Sequence, residues 1–246
     1  MVAPGLIVGR PGTLARCLLS PSSVRVLVLL ALALAAGLAF AQAAQPAADD
    51  ACIVLEDFSK SKVGAFPEGW QVRKDEGKGV YTVQEEGGKR FLRAVSKGLG
   101  IQAAREIPSW NLETHPILAW SWRARQFPRG GDERKSATND SVLAVYMAVP
   151  YSKVRGPKAM KYIWSEKVPT GTALTSNSGL TQVRVVQTGP AKDGWVEERV
   201  NVLKDWKAAF KESATPKVGG IAVLTDADDT KSRAQGDYAS FRACAP

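Results

Sequence analysis

The chain has 246 residues, of which 45% are hydrophobic and 23% charged, an ordinary globular composition that excludes wholesale disorder, collagen-like repeats and a disulfide-dense miniprotein. The net charge is +9, carried by scattered Lys and Arg. With one His and three Cys, the chain holds no material for metal sites built on several His and little for thiol chemistry.

From Val26 to Phe40 the chain runs VLVLLALALAAGLAF, without a charge, after Arg25 and before the small-residue patterns Ala39-Phe40-Ala41 and Ala41-Gln42-Ala43. A basic flank, a short apolar core and an A-x-A exit describe a secretory signal peptide over residues 1–43. A bilayer span needs about 20 apolar residues, so this run is too short to serve as a stable anchor. Residues 44–50 read as a flexible polar leader, and residues 51–246 as one domain. Loss of Arg10, Arg16 and Arg25 with the signal leaves 30 basic against 24 acidic residues, or +6. Cys17 leaves with it, and Cys52 and Cys244 remain as an even pair in an oxidising compartment, so they are expected to be bridged. That bond requires the first and last strands to be neighbours.

Twelve segments of about four to nine residues, rich in Val, Ile, Trp and Tyr and separated by turn formers, read as strands. They are Cys52–Phe58, Trp70–Arg73, Val80–Gln84, Phe91–Val95, Ile101–Ile107, Ile117–Arg125, Ser141–Val149, Lys161–Ser165, Thr181–Gln187, Trp195–Asn201, Val218–Asp226 and Tyr238–Cys244. In Val202–Phe210, Leu203, Trp206 and Phe210 recur at helical spacing, which predicts one amphipathic helix on a sheet. The fold class is therefore all-β, a jelly-roll β-sandwich of about a dozen strands with one short helix over 202–210.

Alternation assigns faces. In Ile117–Arg125, Leu118, Trp120, Trp122 and Ala124 form the core side and Ala119, Ser121, Arg123 and Arg125 the other. In Ser141–Val149, Leu143, Val145, Met147 and Val149 face the core. The opposite side, Val142, Ala144, Tyr146 and Ala148, is too apolar for open solvent and predicts a covered central strand or a groove floor. Where the faces coincide, Tyr146, Trp164 and Trp195 would supply stacking platforms and Arg123, Arg184 and Arg199 polar or anionic contacts.

Leu55-Glu56-Asp57-Phe58 followed by Phe66-Pro67-Glu68-Gly69-Trp70 resembles the opening strands of jelly-roll domains of the carbohydrate-binding and galactose-binding-like type. Later motifs extend over nearly the whole chain after the signal. They are His115-Pro116 with Leu118-Ala119-Trp120-Ser121-Trp122-Arg123, Phe127-Pro128 with Gly131-Asp132-Glu133-Arg134, and Asn139-Asp140-Ser141. Lys161-Tyr162-Ile163-Trp164-Ser165, Trp195-Val196-Glu197-Glu198-Arg199-Val200-Asn201, and Ile221 to Thr230 closing on Gly236-Asp237-Tyr238 complete the set. Together they resemble the domain of unknown function 3047 family of secreted bacterial proteins. The resemblance implies a fold and an envelope location and leaves the chemistry open.

Asp226, Asp228 and Asp229, with Thr230 beside them and Asp237 further on, offer hard oxygen donors of the kind Ca²⁺ takes, although the same residues are ordinary turn formers. Asp132, Glu133, Asp140, Glu166, Glu197 and Glu198 are the material for a two-carboxylate glycosidase, in which Glu197 and Glu198 would face opposite ways along one strand. His115 precedes Pro116 at a loop entry, no Ser-His-Asp order is recognisable, and Gly219-Gly220 opens no helix, which argues against a triad and a phosphate loop. Export argues against nucleic acid. A non-catalytic binder of glycan or another envelope ligand, including an anionic polymer, fits these residues better than an enzyme. A hydrolase acting on envelope polysaccharide and a structural envelope protein are the alternatives.

Overall fold

The computed structural model describes residues 51–190 and 194–246; the expected signal peptide and leader lie outside them. The strands are β1 (Cys52–Glu56), β2 (Trp70–Val72), β3 (Tyr81–Glu86), β4 (Lys89–Lys97), β5 (Ala103–Glu106), β6 (Ile117–Gln126) and β7 (Leu143–Ser152), followed by β8 (Gly156–Ser165), β9 (Ala173–Ser176), β10 (Thr181–Thr188), β11 (Val196–Asn201), β12 (Gly220–Leu224) and β13 (Arg233–Cys244). They form a β-sandwich of jelly-roll type. One sheet runs β11-β6-β13-β4-β3 with β1 also on β13, and the other runs β2-β5-β12-β7-β8-β10-β9. All twelve expected strands are present, and β9 is an addition.

The long strand β13 organises the first sheet. Its half from Arg233 to Tyr238 pairs with β4, and its end from Phe241 to Cys244 pairs with β1, while β6 lies along its other edge. Between the halves, the register with β6 shifts and Ser240 takes a left-handed backbone conformation with φ 55°. This is a β-bulge, which bends the strand and lets it change partner. Because β1 runs antiparallel to β13, Cys52 falls opposite Cys244, and the two form the expected disulfide.

The inner faces are those read from alternation. Leu118, Trp120 and Trp122 of β6 meet Leu143, Val145 and Met147 of β7 and Tyr162 and Trp164 of β8, all essentially fully buried. Trp122 packs 5.2 Å from Trp120 and 5.8 Å from Trp164, centroid to centroid, tilted or edge-on as aromatic quadrupoles favour. The helix α1 (Val202–Phe210) starts where the Asn201 side chain accepts from the Lys204 amide and stops at Lys211, whose backbone is left-handed. It buries Val202 and Trp206, and the Tyr162 hydroxyl donates to Asp205 at 2.9 Å, fastening helix to sheet.

The outer face of the second sheet is also apolar. Ala144, Tyr146, Ala159, Ile163, Val183, Val185, Ala222 and Leu224 form a second cluster. Its cover comes from the chain between β8 and β10. These two strands are parallel, so the chain must cross over between them, and it brings Val168 and Leu174 onto that face. Tyr146 is consequently buried.

Candidate functional site

The outer face of the first sheet carries charge. On the central strand β13, Tyr238 points into the core and Asp237 points outward, opposite Arg93 of β4 and Arg123 of β6. Arg93 donates to both Asp237 oxygens, at 2.8 and 3.1 Å, Arg123 through Nε at 3.0 Å, and Arg125 through Nε at 2.9 Å. Asp237 is fully buried beneath these guanidiniums. Burial alone would raise its pKa; the hydrogen bonds and charges of Arg93, Arg125 and Arg123 together outweigh it and hold the carboxyl below its ordinary value.

Arg123 links this ion cluster to an aromatic pair. Its Nη2 also reaches Glu86 at 2.8 Å, and its guanidinium carbon sits 4.6 Å from the Trp195 ring centroid and 5.5 Å from that of Phe91. Phe91 and Trp195 meet edge to face at 5.3 Å. Phe91 is buried by this arrangement, whereas Trp195 stays 38% exposed. They line a cleft of about 450 Å³ together with Glu86, Ser121, Arg123 and the bulge residue Ser240. A neighbouring cleft of about 500 Å³ shares Lys89, Arg90 and Ser240 and adds Asp57, Ser59 and Glu85. The result is a long polar trough with one aromatic wall. A third cleft, of about 440 Å³, is lined by Ala104, Ala148, Pro150, Pro157 and Val218 among others and has no aromatic face.

Of the six binding residues expected from sequence, Arg123 and Trp195 meet here, and Arg199 lies on the same face, exposed, paired through β11 with Ala119. The other three belong to the second sheet. Trp164 is wholly buried between the sheets, its indole nitrogen donating to the Gly189 carbonyl at 3.3 Å, so it cannot present a platform to solvent. Tyr146 lies in the covered outer layer, with the Lys161 ammonium 5.6 Å from its ring. Arg184 is half-buried on β10 and donates to the Val183 carbonyl at 3.2 Å. Phe91 was not singled out in the sequence; its alternation against core Leu92 and Ala94 is the signal that places it outward.

The acidic group also changes membership. Asp237 is taken by arginines of the first sheet and is no neighbour of the 226–229 loop, contrary to the expected metal set. In its place Asp140 contributes, one of its carboxylate oxygens lying within 4.8 Å of oxygens of Asp228 and Asp229. Asp226 sits beside them with its pKa pushed up to about 8 by burial and by the carboxylates of Asp228 and Asp140, which the charge of Lys161 only partly offsets.

A family model described as "Protein of unknown function (DUF3047)" matches residues 68–242, a span that contains Phe91, Arg123, Trp195 and Asp237. The chain belongs to this family. The disulfide cysteines Cys52 and Cys244 lie just outside the matched span. A comparison with curated proteins returns no match. Among solved structures, the chain is similar to the carbohydrate-binding module CtCBM11, at 8% identity and TM-score 0.37, covering 80% of this chain and 96% of the other. It is similar to an agarase, AgWH50C, at 11% identity and TM-score 0.36, covering 80% of this chain and spanning 25% of the agarase. A family 11 xylanase from Neocallimastix patriciarum aligns at 11% identity and TM-score 0.31, over 74% of this chain and 94% of the xylanase.

In this family member five of the six carboxylates considered for hydrolysis are hydrogen-bonded within the fold. Asp132 is held by Arg134 through two nitrogens, at 2.8 and 2.9 Å. Glu133 accepts from Ser165 at 2.6 Å, Asp140 from the Asp229 and Thr230 amides, and Glu197 from Arg242 at 2.8 Å. Glu198 faces inward and accepts from Trp122 and Gln187, and burial raises its pKa. Glu166 is exposed beyond the end of β8. Along the trough the carboxylates are Glu86 in the Trp195 cleft and Asp57 and Glu85 in its neighbour.

Proposed function

We propose that this protein is an exported, non-catalytic binder of glycan or a related envelope polymer, and that the ligand lies in the trough beside Trp195. The carrying observation is the half-open Trp195 ring, backed by Phe91 and Arg123 in a cleft of about 450 Å³. A rigid indole offers a flat apolar face to the C–H side of a sugar ring, while a few fixed polar groups around it orient the hydroxyls. Arg123 is such a group, because Asp237 and Glu86 hold its plane in place. Further along the trough Lys89 favours polymers that carry carboxylate or phosphate, while Arg90 is held by Glu85 and the Ser59 and Ser61 carbonyls. The disulfide supports an oxidising compartment, in keeping with the signal peptide read over residues 1–43. Among the described residues, no helix is long and apolar enough to cross a membrane.

Retention on an array of neutral and acidic envelope glycans tests this reading. Trp195→Ala is expected to weaken the retained interaction about thirty-fold, as loss of a central aromatic anchor does, and to lower the melting temperature by only a few degrees, because the ring covers Phe91 but is itself partly exposed. Undiminished retention by the variant, or none by the wild type, would sink the proposal.

A further inference from the structure

At one end of the sandwich three connections converge: the chain ending at Asp140, the loop after β12, and the turn between β4 and β5. The Asp226 amide donates to the Ser141 carbonyl at 2.9 Å and the Ala227 amide to the Leu99 carbonyl at 3.2 Å. Oxygens of Asp140, Asp228 and Asp229 lie within 4.8 Å of one another there. Beside them, Asp226 is only 8% exposed, and its Oδ1 is buried without a hydrogen-bond partner. That oxygen and Asp228 Oδ1 border the same small space above Gly100. A Cβ built on Gly100 would come within 2.6 Å of Asp226 Oδ1 and 2.8 Å of Asp228 Oδ1, so the glycine leaves the two oxygens their room.

A buried carboxylate oxygen without a partner loses hydration and receives nothing in return. Four carboxylates in one corner add mutual repulsion. Lys161 approaches from β8 and Lys231 from the loop itself, two cations beside four carboxyl groups. We propose that Asp140, Asp226, Asp228 and Asp229 hold a Ca²⁺ ion that ties the three connections together. Calcium accepts six to eight oxygens at about 2.3–2.6 Å in irregular geometry, and water completes the shell where the protein stops. The Asp140 oxygens already accept from the Asp229 and Thr230 amides, at 3.1 and 2.8 Å. Oδ2 also accepts from the Thr230 hydroxyl at 2.6 Å, so it is Oδ1, which accepts only the Asp229 amide, that keeps a second lone pair for coordination.

The test uses the full chain, stripped with chelator and titrated with calcium chloride against sodium chloride of equal ionic strength, with calorimetry and thermal unfolding as readouts. A dissociation constant of about 0.1 mM, typical of extracellular modules, and about 5 mM calcium should raise the melting temperature by about 5 °C or more. Asp228→Asn and Asp229→Asn, at a half-buried and an exposed position of the loop, should remove the binding heat and the shift while still folding. Absence of heat and shift in the wild type at that concentration, or a shift that persists when both are Asn, would overturn the site.

Discussion

Replacing both cysteines of the Cys52–Cys244 bridge by Ala is expected to lower the unfolding free energy by about 5 kcal/mol, most of what separates the folded from the unfolded chain in an ordinary domain. The bond joins residues 192 apart, and the entropy lost by a closed unfolded chain grows with the logarithm of loop length. Local structure makes the loss worse. β1 has five residues, and Ile53 and Val54 are exposed, so its hold on β13 beyond the bulge at Ser240 depends on few buried groups. Leu55 enters the core, and Glu56 accepts from Trp70 Nε1 at 2.8 Å and pairs with Arg105. Urea unfolding of the oxidised protein and the double variant measures the difference directly. A difference under about 1 kcal/mol would mean that β1 is held by Leu55 and Glu56 without the bond.

Alternation and helical spacing carried the local structure into view: the inward Trp120 and Trp122, the outward Arg123, the apolar back of β7, and a helix with the observed limits. These are properties of neighbouring residues. β9 escaped because Ala173–Ser176 is four residues long with little apolar content, and its position comes from pairing with β10. Sheet membership is a long-range matter, and alternation is silent on it. Tyr146 and Arg123 both point outward, but from different sheets, so the single groove expected from sequence divides in two. Tyr146 is then covered by a crossover that exists only because β8 and β10 are parallel. Trp164 reads as a candidate platform on a short strand, and only the packing of Trp122 against it shows that it is core. The two acidic groups were misjoined for the same reason. Asp237 is near Asp229 in sequence, yet β13 carries it into the first sheet, while the Asp140 side chain, far off in sequence, meets the loop by accepting from the Asp229 and Thr230 amides.

Asp237→Asn is the substitution in which stability and site converge. The side chain is fully buried, and Arg93, Arg123 and Arg125 all aim at it. Asn keeps the volume and removes the charge, leaving guanidiniums that repel one another across adjacent strands. Removing one partner from a buried ion pair costs about 3–5 kcal/mol; because Arg93 and Arg125 are partly exposed and can be rehydrated, we expect a loss of about 3 kcal/mol. The pH dependence has a definite sign. The carboxyl is held below its ordinary pKa, so its contribution is complete above the unfolded value of about 3.9 and disappears as pH falls through the folded one. Wild type should therefore lose its advantage over the Asn variant below about pH 4, and a gap that stays constant down to pH 2 would remove the charge from the explanation. The variant also frees Arg123 from one of the two carboxylates that hold it over Trp195. Retention on acidic glycans should weaken through loss of orientation, with Trp195 itself intact. If Asp237→Asn unfolds more readily but binds as wild type does in the pH range where both are folded, the arginine cluster is scaffold alone, and recognition rests on the aromatic wall.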